Sequence, residues 1–162
     1  MEFPTKSYHD SKEFIRNNIE IPTFERYIKP HLRGENILDI GCGRYSNLFV
    51  EWGAKSVIGI DNNEEMIKNC FDKYQDNPSL KFSKVPYQDL DFKNEFGVIT
   101  SIHSLYFDNS AESLNQTFFK ISKALKQGGL FFAYLTNGSA IASLSEEEER
   151  KRIQKSGMFF KI

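Results

Sequence analysis

The sequence predicts an α/β domain, and three observations carry that expectation. Short β-branched runs alternate with longer amphipathic stretches along most of the 162 residues, as in βαβ units built around a mostly parallel sheet. The first run passes straight into a loop with two glycines, Gly41 and Gly43, and then into a helical stretch. The second run leads into an acid, Asp61, which follows Asp39 by 22 positions.

Along the chain, Ser11–Asn18 and Thr23–His31 read as two helical pieces, with Thr23 after Pro22 as an N-cap and Pro30 and Gly34 closing the region. Asn36–Ile40 is a short apolar strand, Leu48–Trp52 a helical stretch and Ser56–Ile60 a second strand. Glu64–Tyr74 sets Met66, Ile67, Cys70, Phe71 and Tyr74 at helical spacing, before Asn77-Pro78 breaks the chain. Leu80–Val85 and Gly97–Ile102 are the third and fourth strands, joined by a polar segment. Ala111–Lys126 reads as a helix ended by Gly128-Gly129, and Leu130–Leu135 as the fifth strand. Leu144–Ser156 is charged and helix-prone, its acids preceding its bases as the helix dipole prefers, and Met158–Ile162 is a candidate start of a sixth strand.

Ile37-Leu38-Asp39-Ile40-Gly41-Cys42-Gly43 is where a ligand can approach the backbone. Glycine lets the chain turn at a strand's carboxyl end without a Cβ in the way, and the helix start that follows offers free N–H groups. Asp61 stands at the offset expected of a carboxylate that accepts ribose hydroxyls. The two parts together point to a nucleoside ligand, shared by nicotinamide enzymes and methyltransferases. Asp39 and Ser46 separate these: a pyrophosphate would meet the Asp39 charge, and Ser46 fills the place of the third glycine in G-x-G-x-x-G.

Asp39-Ile40-Gly41-Cys42-Gly43 closely resembles motif I of class I S-adenosylmethionine-dependent methyltransferases. The resemblance continues through Gly59-Ile60-Asp61-Asn62-Asn63-Glu64-Glu65-Met66, through Asp89-Leu90-Asp91-Phe92 with Phe96-Gly97-Val98-Ile99, and through Leu125-Lys126-Gln127-Gly128-Gly129-Leu130. It covers roughly residues 30–136. It implies a Rossmann-like three-layer α/β/α sandwich with residues 35–136 as the cofactor-binding core, residues 1–34 as N-terminal helices or lid, and residues 137–162 as a C-terminal helix and sixth-strand candidate. The implied cofactor is S-adenosyl-L-methionine. Asp39, Gly41 and Gly43 would hold the methionine part, the acid either supporting the loop or facing the amino group, and Asp61, with Asn62 in the same turn, would hold the ribose.

The resemblance implies further contacts, each with a plainer alternative. Where the family often has an acid for the adenine amino group, this chain has Pro86-Tyr87-Gln88: Tyr87 stacks on the base or packs at the rim, and Gln88 bonds the base edge. Tyr45 covers the ligand or points to solvent; Met66 touches adenine or packs in the core. Cys42, in the motif, reads as a packed unreactive thiol, as does Cys70. Ser101 and His103 leave the fourth strand where this family places substrate-facing residues. His103 is the candidate base for an amine or hydroxyl acceptor, with a pocket-lining role as the alternative. The run Ser104-Leu105-Tyr106-Phe107 is distantly similar to amine N-methyltransferases of the histamine type, and Tyr8 and His9 fall where a lid closes.

Composition narrows the field. Lys and Arg (21) nearly cancel Asp and Glu (22), so no positive field draws in nucleic acid. No apolar run approaches the roughly 20 residues of a membrane span, no signal-type start is present, and two cysteines make no disulfide framework or zinc site. A soluble cytoplasmic protein without membrane, metal or nucleic acid is expected. With residues for at most one strand after the fifth, the C-terminal strands look incomplete: either the chain is truncated, or a homodimer or strand exchange covers the exposed sheet edge. A cofactor-binding pseudo-enzyme acting through a partner, and a nicotinamide oxidoreductase, are the competing functions.

Overall fold

Residues 13–105 and 110–135 are described by a computed structural model. Five strands, β1 (Asn36–Ile40), β2 (Ser56–Asp61), β3 (Leu80–Lys84), β4 (Phe96–Ile102) and β5 (Leu125–Tyr134), form one sheet in the order β3-β2-β1-β4-β5. All four pairings are parallel, as the sequence pattern predicts. The helices are α1 (Ile21–Tyr27), α2 (Arg44–Glu51), α3 (Glu64–Tyr74) and α4 (Ala111–Ala124).

Both faces of the sheet are covered, which is why its central strands are nearly continuously apolar. Side chains alternate, so Ile37, Val57, Val98 and Ile102 face one cluster with Phe24, Ile28 and Leu32 from the N-terminal segment and Phe49 of α2. Leu38, Ile40, Ile60 and Ile99 face the other, with Leu90, Ile121 and Ala124. Phe24, Phe49, Phe96 and Phe131 are fully buried, each contributing about 1.5–3 kcal/mol of apolar transfer. The chain builds β2 and β3 to one side of β1 and then β4 and β5 to the other. Strand order therefore reverses between β1 and β4, opening a crevice at their carboxyl ends, the usual ligand position in such sheets.

Several sequence expectations need correction. Thr23 does not cap a helix: its hydroxyl donates to the Ile19 carbonyl at 2.5 Å inside a continuous helical segment. The gap expected there is bridged by a π-helical turn, Arg16–Glu20, with the Ile21 N–H bonded to the Arg16 carbonyl. Pro22 has no N–H to give, and the wide turn falls just before it. Helix α2 begins at Arg44, four residues ahead of the expected Leu48, because Gly43 serves as its N-cap.

Helix α4 ends at Ala124, and Gly128-Gly129 is not its cap. Leu125 already pairs with Phe96 and Leu130 with Val98, so residues 126–129 form an irregularity within β5 opposite Gly97. Gly128 sits there at φ +78°, a conformation that glycine adopts without strain. The expected helix Leu144–Ser156, the sixth-strand candidate, the Tyr8–His9 lid and Tyr106-Phe107 lie outside the described residues.

Candidate active site

The crevice holds a cavity of about 440 Å³ lined by residues from β1, β2, the turns that follow β1, β2, β3 and β4, and the first turn of α3, a volume ordinary for a small-molecule site. Of the residues predicted from the sequence, Gly41, Cys42, Asp61, Asn62, Met66, Tyr87 and His103 line it, joined by Ile40, Ile60, Asn63, Val85 and Ser104. Asp39, Gly43, Tyr45, Gln88 and Ser101 are not among the lining residues.

Asp39 instead ties the floor of the site together. It faces the same side of the sheet as Thr100, its direct partner in the β1–β4 register. The Thr100 hydroxyl donates to Oδ1 at 2.8 Å and the Ser46 hydroxyl of α2 to Oδ2 at 2.5 Å. The residue is 2% exposed, and burial lifts its carboxyl from 3.8 to about 6 against the pull of the two hydroxyls, with the nearby Asp61 charge adding to the rise. Ser46, in the place of the missing third glycine, is thus spent on holding α2 to β1. It also accepts from the Gly43 N–H at 3.4 Å.

The loop itself is held by backbone. Gly41 and Cys42 N–H groups both donate to the Ile60 carbonyl, at 2.9 and 3.0 Å. Gly41 has φ +78°, and a Cβ there would lie 2.4 Å from Ser104 Cβ, so the loop passes against the β4 turn with no room for a side chain. Ser104 Oγ donates to the Ile40 carbonyl at 2.7 Å and is 2.5 Å from Ser101 Oγ. Ser101 braces the wall rather than lining it.

Asp61 sits at the end of β2 with Oδ1 accepting from the Asn63 N–H at 2.8 Å. Asn63 caps α3 through the N–H groups of Glu65 and Met66, at 2.9 and 3.4 Å. Met66 is 40% exposed and lines the cavity, so core packing is not its role. Cys42 is buried, and its thiol is pushed well up by a hydrogen bond with Cys70, by burial and by the charges of Asp39 and Asp61, which suits a packed thiol and not a nucleophile. The Gln88 carbonyl accepts from Lys120 Nζ. No group of three or more His, Cys, Asp or Glu gathers as a metal site among the described residues.

One residue the motifs did not reveal stands out. Glu20, in the π turn, is 6% exposed. Its Oε1 lies 2.7 Å from His103 Nε2, and its Oε2 accepts from the Tyr45 hydroxyl. Burial raises the Glu20 carboxyl, but bonds from His103 and Tyr45, the charge that His103 carries when protonated and the charge of Arg16 more than offset this and hold it below the ordinary value. Tyr45 therefore neither covers the cavity nor points to solvent; its ring packs edge-on against Phe24 at 5.2 Å. His103 has φ +58°, a left-handed conformation costing on the order of 1–3 kcal/mol in a non-glycine residue.

Comparison with known proteins now adds to this geometry. A family model described as a methyltransferase domain matches residues 37–129, more than half of the chain. The chain belongs to the methyltransferase-domain family. Among relatives of this methyltransferase domain, the sterol 24-C-methyltransferase of Pneumocystis carinii is 32% identical over 126 residues, covering 70% of this chain and 32% of that protein. An mRNA cap guanine-N(7) methyltransferase of Cryptococcus neoformans is 24% identical over 164 residues, covering 85% of this chain and 23% of its own length. The domain thus spans about a third or less of these curated relatives. The PH0226 protein of Pyrococcus horikoshii superposes with a TM-score of 0.67 at 25% identity, covering 88% of this chain and 68% of that one. These likenesses agree with the Rossmann-like architecture expected from the sequence.

Proposed function

We propose that this chain binds S-adenosyl-L-methionine in the crevice between β1 and β4 and transfers its methyl group to a small-molecule or protein nucleophile. The observation that carries the reading is the cavity bounded on one side by the side-chain-free approach at Gly41 and on another by Asp61 at the end of β2, within a methyltransferase domain. The residues fit the cofactor: Asp61 and Asn62 for the ribose hydroxyls, Met66, Val85 and Tyr87 as apolar walls for the base, and the Gly41-Cys42-Gly43 loop for the methionine part. The cofactor supplies a methyl group activated by a sulfonium. The chain supplies orientation and exclusion of water, which suffice for in-line displacement when the acceptor is already a free nucleophile.

His103, at the crevice wall after β4, is the candidate base in this reading. Asp39 acts on the cofactor indirectly, by fixing the loop through Ser46 and Thr100. A nicotinamide dinucleotide is disfavoured because a pyrophosphate at the start of α2 would lie close to the Asp39 carboxylate. A second copy of the chain would find a place along β5, which pairs only with β4 among the described residues.

The reading is tested by calorimetric titration with S-adenosylmethionine, S-adenosylhomocysteine and NAD, beside Asp61→Ala. Binding of the first two that weakens roughly tenfold or more in the variant is expected, the size of one lost charge-assisted hydrogen bond. No binding by a folded chain would overturn the proposal, and binding without transfer to any acceptor would favour the pseudo-enzyme.

A further inference from the structure

His103 is held from four sides. Its N–H donates to the Tyr134 carbonyl at 2.9 Å, its ring stands edge-on to the Tyr134 ring at 5.0 Å and 89°, Nε2 is bonded to Glu20, and the backbone keeps a left-handed turn. Glu20 is itself fixed, because Tyr45 bonds its second oxygen and the Arg16 charge lies near. Tyr45 keeps its proton: burial and the Glu20 charge push its hydroxyl well up, so it remains a donor. Nε2 is thereby committed, and no hydrogen bond from a described residue reaches the other ring nitrogen, Nδ1. His103 lines the cavity and its side chain is 37% exposed. A carboxylate bonded to Nε2 favours the tautomer that carries its proton there, which leaves the lone pair on Nδ1.

We propose that Glu20 is a positioning residue that fixes His103 with Nδ1 free, and that the crevice therefore suits an acceptor whose nucleophilic atom bears a proton, such as a hydroxyl or an ammonium nitrogen. This rests on the methyl-transfer reading above. The X–H bond would break with its electron pair staying on X and the proton going to Nδ1, before attack for an ammonium and during it for a hydroxyl; X would then bond the methyl carbon as the methyl–sulfur bond breaks, its electron pair leaving on sulfur as a neutral thioether. The imidazolium so formed faces the Glu20 carboxylate, which stabilises it until the proton passes to solvent. A bond to a neutral amide in place of Glu20 would hold the ring but would not stabilise that charge.

The test is nitrogen-15 spectroscopy of the labelled full chain, which has three histidines, His9, His31 and His103, with His103→Gln to assign the signal. The parent is expected to show a low-field Nε2–H proton protected from exchange. In Glu20→Gln, and in Glu20→Asp with its shorter reach, that proton should exchange roughly tenfold faster, as one charge-assisted hydrogen bond is lost or weakened. p-Cresol and benzylamine added to chain loaded with S-adenosylhomocysteine should shift Nδ1 in the parent and less in the variants. Calorimetry with S-adenosylhomocysteine separates the two claims. If the parent does not bind it, the methyl-transfer reading falls and the acceptor assignment falls with it, while the Nε2–H signal still reports the positioning. If the parent binds it but the Nε2–H exchange is unchanged in both variants, or neither probe moves Nδ1, this inference is overturned.

Discussion

Asp39→Asn removes, among the described residues, the one buried carboxylate whose fixed partners are both neutral hydroxyls. In the folded chain its carboxyl is raised from 3.8 to about 6, chiefly by burial. The folded state thus holds a proton that the unfolded state releases, and stability from this group is greatest below 3.8 and is lost as the pH rises through about 6. The full difference is about 3 kcal/mol, of which about 1 kcal/mol falls between pH 5 and 7. Asparagine keeps the shape and does not titrate. Its carbonyl can accept from one hydroxyl while its amide donates to the other, since hydroxyls rotate. Urea unfolding of both chains at half-unit steps from pH 5 to 7 measures the difference. The parent should lose about 1 kcal/mol or more relative to the variant on going up this range. Glu20, held low, acts in the opposite sense and at more acid pH, so it does not obscure the window. Curves for the two chains that stay parallel within about 0.5 kcal/mol would refute the claim that burial of Asp39 is uncompensated.

Gly41→Ala places a Cβ 2.4 Å from that of Ser104 at φ +78°; it should cost about 2–4 kcal/mol in thermal unfolding and weaken S-adenosylhomocysteine binding tenfold or more. Thr100→Val deletes the donor to Asp39 Oδ1 in a fully buried place and should cost about 1–3 kcal/mol. The loss should be larger at pH 7, where the carboxylate is charged, than at pH 4.5, and denaturation at both pH values reads it.

The fold was legible wherever local chemistry alone sets the structure. Asn36–Ile40 and Glu64–Tyr74 have the expected ends, the first because Gly34-Glu35 precede it and Gly41 turns the chain after it, the second because Asn63 caps it and Glu64 and Glu65 open it. The start of α2 was not legible from periodicity. Arg44, Tyr45 and Asn47 show no apolar stripe, and the helix begins there because Ser46 bonds a carboxylate on a neighbouring strand and Gly43 turns the chain. Gly128-Gly129 was misread for a similar reason. A glycine pair after an amphipathic stretch marks a helix end by local rules, but here Leu125 finds Phe96 first and the glycines absorb the mismatch in register.

The same division runs through the site. Glu20, Phe24, Ile28 and Leu32 are spaced four apart and all buried, so the sequence does contain a signal: an acid heading an apolar stripe must have a partner. It gives no hint of which, because His103 is 83 residues away. Asp39 and Glu20 are buried alike, yet their carboxyls move in opposite directions. The partners of Asp39 are hydroxyls, which cannot offset the loss of water, whereas Glu20 faces an imidazole, a phenol and a guanidinium, which can. The acid inside the recognisable motif thus stabilises the architecture under the loop. The acid outside any motif is the one bonded to a side chain that lines the crevice. A motif reports the backbone geometry its ligand needs, and the groups that meet a particular acceptor lie beyond it, brought in by a helix whose local sequence says only that one face is buried.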